Sequence, residues 1–261
     1  MQAATRPASI PRVARTGGRI SESRWSLFLD VDGTLLEMAA TPDGVRVEPS
    51  LNALLARVSS RLQGALALVS GRPVTDLDRL FAPERWPAAG VHGLERRDAA
   101  GHWHAHPPVD EAKIDKARMK LRHLSASLPG TIVENKGPSV ALHYRQAPQH
   151  EELARRGARA IARDVGDDFH LLEGRKVLEL RPDGADKADA VRAFLGEPPF
   201  EHSRPIFIGD DVTDQAALAE VERAGGLSVA VGDRVQGMMQ VADPREVRAF
   251  LEGLATTGAP A

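Results

Sequence analysis

The chain has 261 residues, enough for one large domain or two modest ones. Its 34 Lys and Arg residues nearly balance 36 Asp and Glu residues, its aromatic content is only 4%, and it has no run of about 18 apolar residues, so neither nucleic-acid nor membrane partners are indicated. The absence of cysteine excludes disulfides, thiolate nucleophiles and cysteine-ligated metals, which leaves carboxylates, hydroxyls, His and Lys to carry any chemistry.

The first 24 residues are rich in arginine, and Pro7, Pro11 and the Gly17-Gly18 pair would interrupt any helix there. We therefore expect residues 1–24 to be a disordered tail. From Trp25 the pattern changes: residues 26–31 form an apolar run typical of a strand buried on both faces. A helix over 50–62, a second buried strand over 65–70 and a short strand near 88–92 follow, and the segment down to Pro108 is predicted to be a connection.

The order of predicted helices and strands differs between residues 108 and 182. A charged helix over 110–128 leads to strands over 131–134 and 139–145, and a second helix over 150–165 leads to a hairpin over 169–182 that turns at Gly174 and Arg175. This order predicts an antiparallel sheet with helices on one face.

After Asp183 the buried-strand pattern returns, with helices over 187–195 and 213–224 and strands over 205–210 and 227–232. The sequence thus predicts an α/β fold, a three-layer Rossmann-like parallel-sheet core with an inserted α+β domain. The core would comprise residues 25–107 and 183–254, the inserted domain residues 108–182, and a second tail residues 255–261.

Several core strands end in polar turns, and ligands bind just outside the carboxyl ends of parallel strands. Asp30 and Asp32 follow the first strand, Ser70 the second, and the turn after residue 209 adds three acids: Asp210, Asp211 and Asp214. Five carboxylates in one crevice repel one another by about 4 kcal/mol for each pair at 4 Å and an effective dielectric of 20. A hard divalent cation with oxygen ligands, Mg²⁺, would relieve this repulsion.

These motifs resemble a known superfamily. Asp30-x-Asp32-x-Thr34, Ser70, Lys187 and the run from Gly209 to Asp214 are similar to the four motifs of the haloacid-dehalogenase-like phosphohydrolases, and the inserted module sits where some of those enzymes carry a C2-type cap. Residues 90–93, 134–148 and 177–182 resemble the trehalose-6-phosphate phosphatases, and the similarity covers residues 25–254.

The resemblance implies roles. Asp30 would be the nucleophile that forms an aspartyl-phosphate, and Asp32 the acid and base, with its pKa raised by the neighbouring carboxylates. Mg²⁺ would be held by the Asp30 side chain, the Asp32 carbonyl and Asp210, with Asp211 and Asp214 as ligands or supports, while Ser70 and Lys187 would hold the phosphoryl oxygens.

The resemblance also implies a sugar site in the cap, where Glu134, Lys136 and Glu179 would bind hydroxyls. The other substrate contacts expected are Gly33, Thr34, Gly71, Arg72, His92, Gly93 and Arg145. One departure is local: the family often has Asn-Lys-Gly at the third motif, whereas this chain has Asp186, Lys187 and Ala188.

Two other features have simpler interpretations. Arg72 and Asp76 suggest a local ion pair at a helix start. His102, His104 and His106 alternate in a Pro- and Gly-containing connector, a pattern that favours solvated side chains over a zinc site.

We therefore predict a cytoplasmic, monomeric, Mg²⁺-dependent phosphatase for trehalose 6-phosphate, with hinges near residues 107–108 and 182–184. One alternative is a phosphatase for another sugar phosphate, such as sucrose phosphate or a hexose phosphate. The other is a phospho-accepting signalling module resembling a receiver domain, which would leave Asp32 and the inserted module without a role.

Overall fold

The computed structural model describes residues 24–38, 45–105, 110–174 and 176–260. Residues 1–23 of the tail expected over 1–24, the Pro107–Pro108 hinge, His106 and Arg175 lie outside these ranges. Within them the strands form two separate sheets, one of eight strands and one of four. No helix in the described ranges is both long and apolar enough to cross a lipid bilayer.

The chain contains both strands and helices. The strands are β1 Trp25–Leu29, β2 Leu66–Val69, β3 Ala88–Gly90, β4 Glu95–Arg97, β5 Trp103–Ala105, β6 Ile132–Asn135, β7 Val140–His143, β8 Phe169–Gly174, β9 Val177–Pro182, β10 Arg204–Gly209, β11 Leu227–Val231 and β12 Met239–Val241. The helices are α1 Pro49–Arg61, α2 Val74–Leu80, α3 Glu111–Ala126, α4 Glu151–Val165, α5 Lys187–Leu195, α6 Gln215–Arg223 and α7 Pro244–Thr257.

The large sheet has the order β12-β11-β10-β1-β2-β3-β4-β5. Its strands from β12 to β3 pair in parallel, and β4 and β5 add an antiparallel hairpin at one edge. Leu27, Phe28 and Leu29 of the central strand have no exposed surface, because helices cover both faces of such a sheet. The predicted α/β class with a parallel-dominated sheet is confirmed.

The small sheet has the order β6-β7-β9-β8, entirely antiparallel. The helices α3 and α4 pack against each other and against its strands, and they enclose a hydrophobic cluster around Tyr144 that is separate from the core of the large sheet. The Asp110 carboxylate begins α3 by accepting hydrogen bonds from the backbone N–H groups of Ala112 and Lys113. We call residues 110–182 the small-sheet unit.

Three local predictions were wrong. The segment before Pro108, expected to be a connection, contains β4 and β5, because short strands with charged residues carry no apolar alternation. Arg97 of β4 is only 6% exposed, and Asp78 at 2.6 Å balances its buried charge. The strand expected over 88–92 ends at Gly90 in a 3₁₀ turn. The second tail begins later than predicted, since α7 continues to Thr257.

Candidate active site

The carboxyl ends of three adjacent parallel strands meet at one edge of the large sheet. Asp30 follows β1, Ser70 follows β2 and Asp210 follows β10. The backbone N–H of Asp30 donates to the carbonyl of Ile208 at 3.0 Å, which fixes β1 and β10 relative to each other at their ends. Side chains that leave these strand ends therefore face a common space.

Lys187 is the buried cation of this edge. It is the first residue of α5, whose N-terminus is closed by a capping box between Asp186 and Asp189. Its ammonium donates to Asp30 Oδ1 at 2.7 Å and to Asp214 Oδ1 at 2.6 Å, and only 2% of the residue is exposed. Although burial acts to lower the pKa of Lys187, the two carboxylates raise it above its ordinary value, so this side chain stays charged.

Three carboxylates surround that ammonium. One oxygen from each of Asp30, Asp210 and Asp214 lies within 4.8 Å of the others. Burial raises the pKa of Asp30 well above its ordinary value against the opposing effect of Lys187. Burial, with Asp214 and Asp211 nearby, raises the pKa of Asp210 to about 6. The cluster therefore carries more negative charge than one lysine can balance.

The other two acids have cations of their own. Arg72 donates to both Asp32 oxygens, at 2.6 and 2.7 Å, and Arg234 lies 2.5 Å from Asp211. The expectation that five acids crowd one another was wrong for Asp32, because its carboxylate binds a guanidinium group, whereas Asp211 pairs with Arg234 and still adds to the negative charge near Asp210. Neighbouring carboxylates therefore do not supply the crowding that we had expected to act on Asp32.

The sequence suggested a local ion pair between Arg72 and Asp76, and the Asp76 charge does act on the Arg72 guanidinium. Arg72 reaches Asp32, and Asp76 pairs with Arg79 at 3.1 Å. Burial opposes a charged guanidinium, yet the bond to Asp32 raises the pKa of Arg72 above its ordinary value. Arg72 thus belongs to the strand-end cluster rather than only to the start of α2.

Gly33 and Thr34 hold Asp210 from the side of β1. Gly33 has φ +91°, and a Cβ atom there would lie 2.3 Å from Asp210 Oδ2. The Thr34 hydroxyl donates to Asp210 Oδ1 at 3.4 Å. Neither residue lines the cavity described below, so within the described ranges both support an acid rather than face the cavity.

We expect Gly33→Ala to destabilise the chain by about 2 to 5 kcal/mol, because it combines an unfavourable positive φ with a clash against Asp210. Urea unfolding would measure this change. Gly225→Ala is the matched control, since Gly225 has φ +73° with open space around its Cβ position, and it should cost about 1 to 2 kcal/mol. Equal losses in the two variants would contradict the clash.

The small-sheet unit contributes a buried ion pair to the same space. Lys136 donates to Glu179 Oε2 at 2.8 Å, and the Ser139 hydroxyl donates to Glu179 Oε1 at 2.7 Å. Although burial acts to raise it, Lys136 and His92 hold the pKa of Glu179 well below its ordinary value. Lys136 also donates to the carbonyl of Gly71 at 2.9 Å, which joins the small-sheet unit to the turn after β2.

His92 lies between the two sheets in a strained turn. Its φ is +55°, and Nε2 lies 3.6 Å from Glu179 Oε2. Its Nδ1 is buried and has no hydrogen-bond partner among the residues that the structure describes. Burial lowers the pKa of His92, so a neutral imidazole is favoured. A Cβ on Gly71 would lie 2.6 Å from His92 Nε2, which explains the glycine there.

Gly93 packs against the start of α5 and does not contact the cavity that the described residues form. With φ +102°, a Cβ atom on it would lie 2.3 Å from the carbonyl oxygen of Asp186. The residue is absent from the cavity lining of the described chain. Gly93 thus lets the turn pack directly against the start of α5, next to Lys187.

A single cavity lies between the two sheets. From the large sheet it is lined by Asp30, Asp32, Ser70, Gly71, Arg72, His92, Lys187, Asp210, Asp211, Thr213 and Arg234; from the small-sheet unit by Glu134, Lys136, His143, Arg145, Leu172, Gly174, Val177 and Glu179; and also by Met38 and Val45. Asp214 lies behind this lining, with no exposed surface. It accepts hydrogen bonds from the backbone N–H groups of Asp210 and Asp211 and so shapes their turn.

Sequence reasoning missed His143 and Arg234. The His143 ring nitrogen lies 2.6 Å from Glu134 Oε2, and although burial opposes it, this bond lowers the pKa of Glu134 below its ordinary value. The alternation of Ser139, His143 and Arg145 in β7 and its flanking residues could have indicated His143. Arg234 follows β11 in a loop, where no local pattern points to its partner Asp211.

This chain is similar to several known proteins. A trehalose-phosphatase family model matches residues 28–247. A probable trehalose-phosphate phosphatase of Sinorhizobium fredii is 48% identical over 212 residues, which cover 81% of this chain and 79% of that protein. The trehalose-6-phosphate phosphatase of Escherichia coli is 40% identical over 236 residues, which cover 90% and 88%. A crystal structure of a trehalose-6-phosphate phosphatase related protein superposes with a TM-score of 0.76 at 26% identity and covers 89% of this chain and 97% of that one.

Proposed function

Because the chain belongs to the trehalose-phosphatase family, we propose that it is a Mg²⁺-dependent phosphatase that hydrolyses trehalose 6-phosphate to trehalose and phosphate. One observation carries the proposal. A single cavity has a buried carboxylate, a buried lysine and an acid cluster at its large-sheet end, and the polar side chains Glu134, Lys136 and Glu179 at the other. The residues proposed to act on the phosphate and those proposed to bind the sugar thus line opposite ends of the same cavity.

The residues present fit a magnesium ion. Asp30, Asp210 and Asp214 offer oxygen ligands only, and their single lysine leaves negative charge in excess. A set of carboxylate oxygens suits a hard cation such as Mg²⁺, which needs only a few protein ligands. Asp30 and Asp210, with the Asp32 carbonyl, would hold the ion, and Asp214 would support them. We assign Asp211 a supporting role, since it pairs with Arg234. When bound, Mg²⁺ would neutralise charge on the phosphoryl oxygens.

Asp30 is the proposed nucleophile. Its Oδ1 accepts from Lys187, which leaves Oδ2 to attack phosphorus. A bond forms between Oδ2 and phosphorus while the bond from phosphorus to the sugar oxygen breaks, and an aspartyl-phosphate results. Burial raises the pKa of Asp30, and Lys187 acts against that rise by favouring the ionised form; Ser70, 1% exposed at the end of β2, would donate to a phosphoryl oxygen.

Asp32 is the proposed acid and base. Both of its oxygens accept from Arg72, an arrangement that fits the carboxylate. In the second step this carboxylate would take a proton from water while the water oxygen bonds to phosphorus and the bond between phosphorus and Asp30 Oδ2 breaks, which releases phosphate. In the first step a protonated Asp32 would donate to the leaving sugar oxygen, and its bond to Arg72 must then loosen. Arg72 is therefore proposed to position Asp32 and to receive the phosphate.

We propose that the small-sheet unit is a cap that selects the sugar. Its hydrogen bond from Lys136 to the Gly71 carbonyl joins it to the turn after β2, and both residues line the cavity. Opening would occur around the crossing at residues 182–184, where Gly184 has φ +114°, and around the second crossing near residues 107–108. Cytoplasmic location and a monomeric state remain predictions.

Lys136→Met should raise KM for trehalose 6-phosphate by about 10- to 100-fold with a smaller change in kcat, because charge-assisted hydrogen bonds to hydroxyls contribute about 1.5 to 3 kcal/mol each. Steady-state kinetics would measure both constants. Lys120→Met, on the exposed face of α3, is the matched control and should leave both unchanged. A loss confined to kcat would contradict a role of Lys136 in sugar binding.

Magnesium binding should strengthen as the pH rises through about 6. Asp210 has an ordinary pKa of 3.8, raised to about 6 in the folded chain, so proton binding stabilises the fold fully below about pH 4 and this contribution is lost as the pH rises through 6. Above that pH the free carboxylate favours the cation. The Mg²⁺-induced rise in Tm should therefore be larger at about pH 7.5 than at about pH 5, and Asp210→Asn should remove this difference.

The test of the proposed function is phosphate release from a panel of sugar phosphates, with Mg²⁺ and with a chelator. Trehalose 6-phosphate should be the preferred substrate, and activity should require Mg²⁺. Equal activity on hexose phosphates or sucrose phosphate would overturn the substrate assignment. A single stoichiometric burst without further turnover would instead indicate a phospho-accepting module.

A further inference from the structure

A second cluster of metal-ligating side chains lies away from the cavity, beside the outer hairpin of the large sheet. Asp98 follows β4, His102 and His104 belong to the turn and to the edge strand β5, and Glu197 follows α5. One ligand atom from each of Asp98, His104 and Glu197 lies within 4.8 Å of the others. None of these residues lines the cavity formed by the described ranges.

Backbone hydrogen bonds fix the position of the Asp98 carboxylate. Its Oδ1 accepts from the N–H groups of Ala100 at 2.9 Å and His102 at 2.8 Å, which fixes the carboxylate. Its Oδ2 lies 3.2 Å from His102 Nδ1 and 2.9 Å from His104 Nε2. A tetrahedral zinc ion with bonds of about 2.0 to 2.1 Å requires ligand atoms about 3.3 Å apart. The spacing between these atoms is already close to that value.

Charge and exposure also suit an ion at this position. The hydrogen bond from His104 holds the pKa of Asp98 well below its ordinary value, so this carboxylate is ionised. Both oxygens of Glu197 accept hydrogen bonds from Arg96, Oε2 at 3.3 Å, and each oxygen keeps lone pairs for an ion. The carboxylates of Asp98 and Glu197 and the guanidinium of Arg96 together leave one net negative charge. The Asp98 side chain is 12% exposed and that of His104 44%, so the fixed carboxylate is covered while the imidazole side is open to an entering ion.

We propose that Asp98, His104 and Glu197, with His102 as a fourth ligand, form a Zn²⁺ site that is distinct from the magnesium cluster and goes beyond the phosphatase function. Imidazole nitrogen combined with carboxylate oxygen suits zinc, whereas the all-oxygen cluster at Asp30 suits magnesium. The donor sets thus separate the two ions by chemistry.

The site joins two segments that are distant in sequence. On one side is the β4–β5 hairpin, which begins just after Gly93; on the other is the segment that follows α5, whose first residue is Lys187. Gly93 already packs on the Asp186 carbonyl at the start of α5. A zinc ion would add a second connection between the same two segments and would hold the edge strand β5 in place.

Isothermal titration of the full chain with Zn²⁺, in saturating Mg²⁺, tests the proposal. We expect one ion per chain with a Kd of about 1 μM or below, and Co²⁺ should give the visible absorption of a tetrahedral site. The double variant His102→Ala with His104→Ala should bind at least about 100-fold more weakly. His123→Ala, which removes an exposed imidazole on α3, should bind as the wild type does.

Three results would overturn the zinc site. These are undiminished binding in the double variant, loss of binding in Asp210→Asn, which would place the ion in the cavity, and a wild-type Kd weaker than about 1 mM. Should the double variant fail to fold, Glu197→Gln offers the same comparison and should also bind at least about 10-fold more weakly. Mg²⁺-dependent phosphate release should persist in all of these variants except Asp210→Asn, so the two proposals fail separately.

Discussion

Asp30→Asn should abolish phosphate release, with kcat reduced on the order of 10⁴-fold or more, since an amide cannot form the aspartyl-phosphate. Asp30 is the acid whose oxygen Oδ1 is bound by Lys187 and whose other oxygen is left for phosphorus. Continuous phosphate detection with trehalose 6-phosphate and Mg²⁺ would measure the loss. Asp167→Asn, an exposed acid before β8, is the matched control and should keep full activity.

The same variant separates loss of chemistry from loss of fold. Because burial raises the pKa of Asp30 well above its ordinary value, its ionised form opposes folding at neutral pH in the absence of metal. Asp30→Asn should therefore have an unchanged or higher Tm without Mg²⁺. Substantial residual turnover in a correctly folded variant would exclude Asp30 as the nucleophile.

Lys187→Met is expected to have the second largest effect, a decrease in kcat of about 10³-fold. Asp30 and Asp214 would lose the cation that lies 2.7 and 2.6 Å from them, and the pKa of Asp30 would rise further because Lys187 would no longer oppose the effect of burial. The remaining activity should shift to higher pH, where Asp30 can still ionise. A full pH–rate profile would record this shift.

Lys187→Met should also lower the Tm, because it leaves the buried acids Asp30 and Asp214 without their cation. Lys120→Met is the control for removal of a lysine and should change neither the profile nor the Tm. An unshifted pH profile with reduced kcat would mean that Lys187 acts only on the substrate and not on Asp30.

The convergence of Asp30, Ser70 and Asp210 could be predicted because each follows a buried apolar strand, and the order of parallel strands places those ends together. The partners of Asp32 and Asp211 could not. Arg72 and Arg234 come from other turns, and no periodic pattern connects an arginine to a carboxylate that is distant in the chain. Tertiary packing alone determines these pairs.

The same limit applies to the edge of the large sheet. The hairpin of β4 and β5 was missed because Glu95, Arg96 and Arg97 look like a solvated segment, whereas the fold buries both arginines against Glu197 and Asp78. Paired charges in a short strand have no apolar signature. The four strands of the small-sheet unit were found because their alternation or turns were local.

The hydrogen bond between Lys136 and the carbonyl of Gly71 limits which residues of this cavity can change during evolution. The acceptor is a backbone atom, so no substitution at position 71 can remove it, and a larger residue there would strike His92. Variation at this contact must therefore occur on the lysine side. Descendants of this sequence that acquire other substrates should change residue 136 and its neighbours on β6 and β9 while retaining the turn after β2.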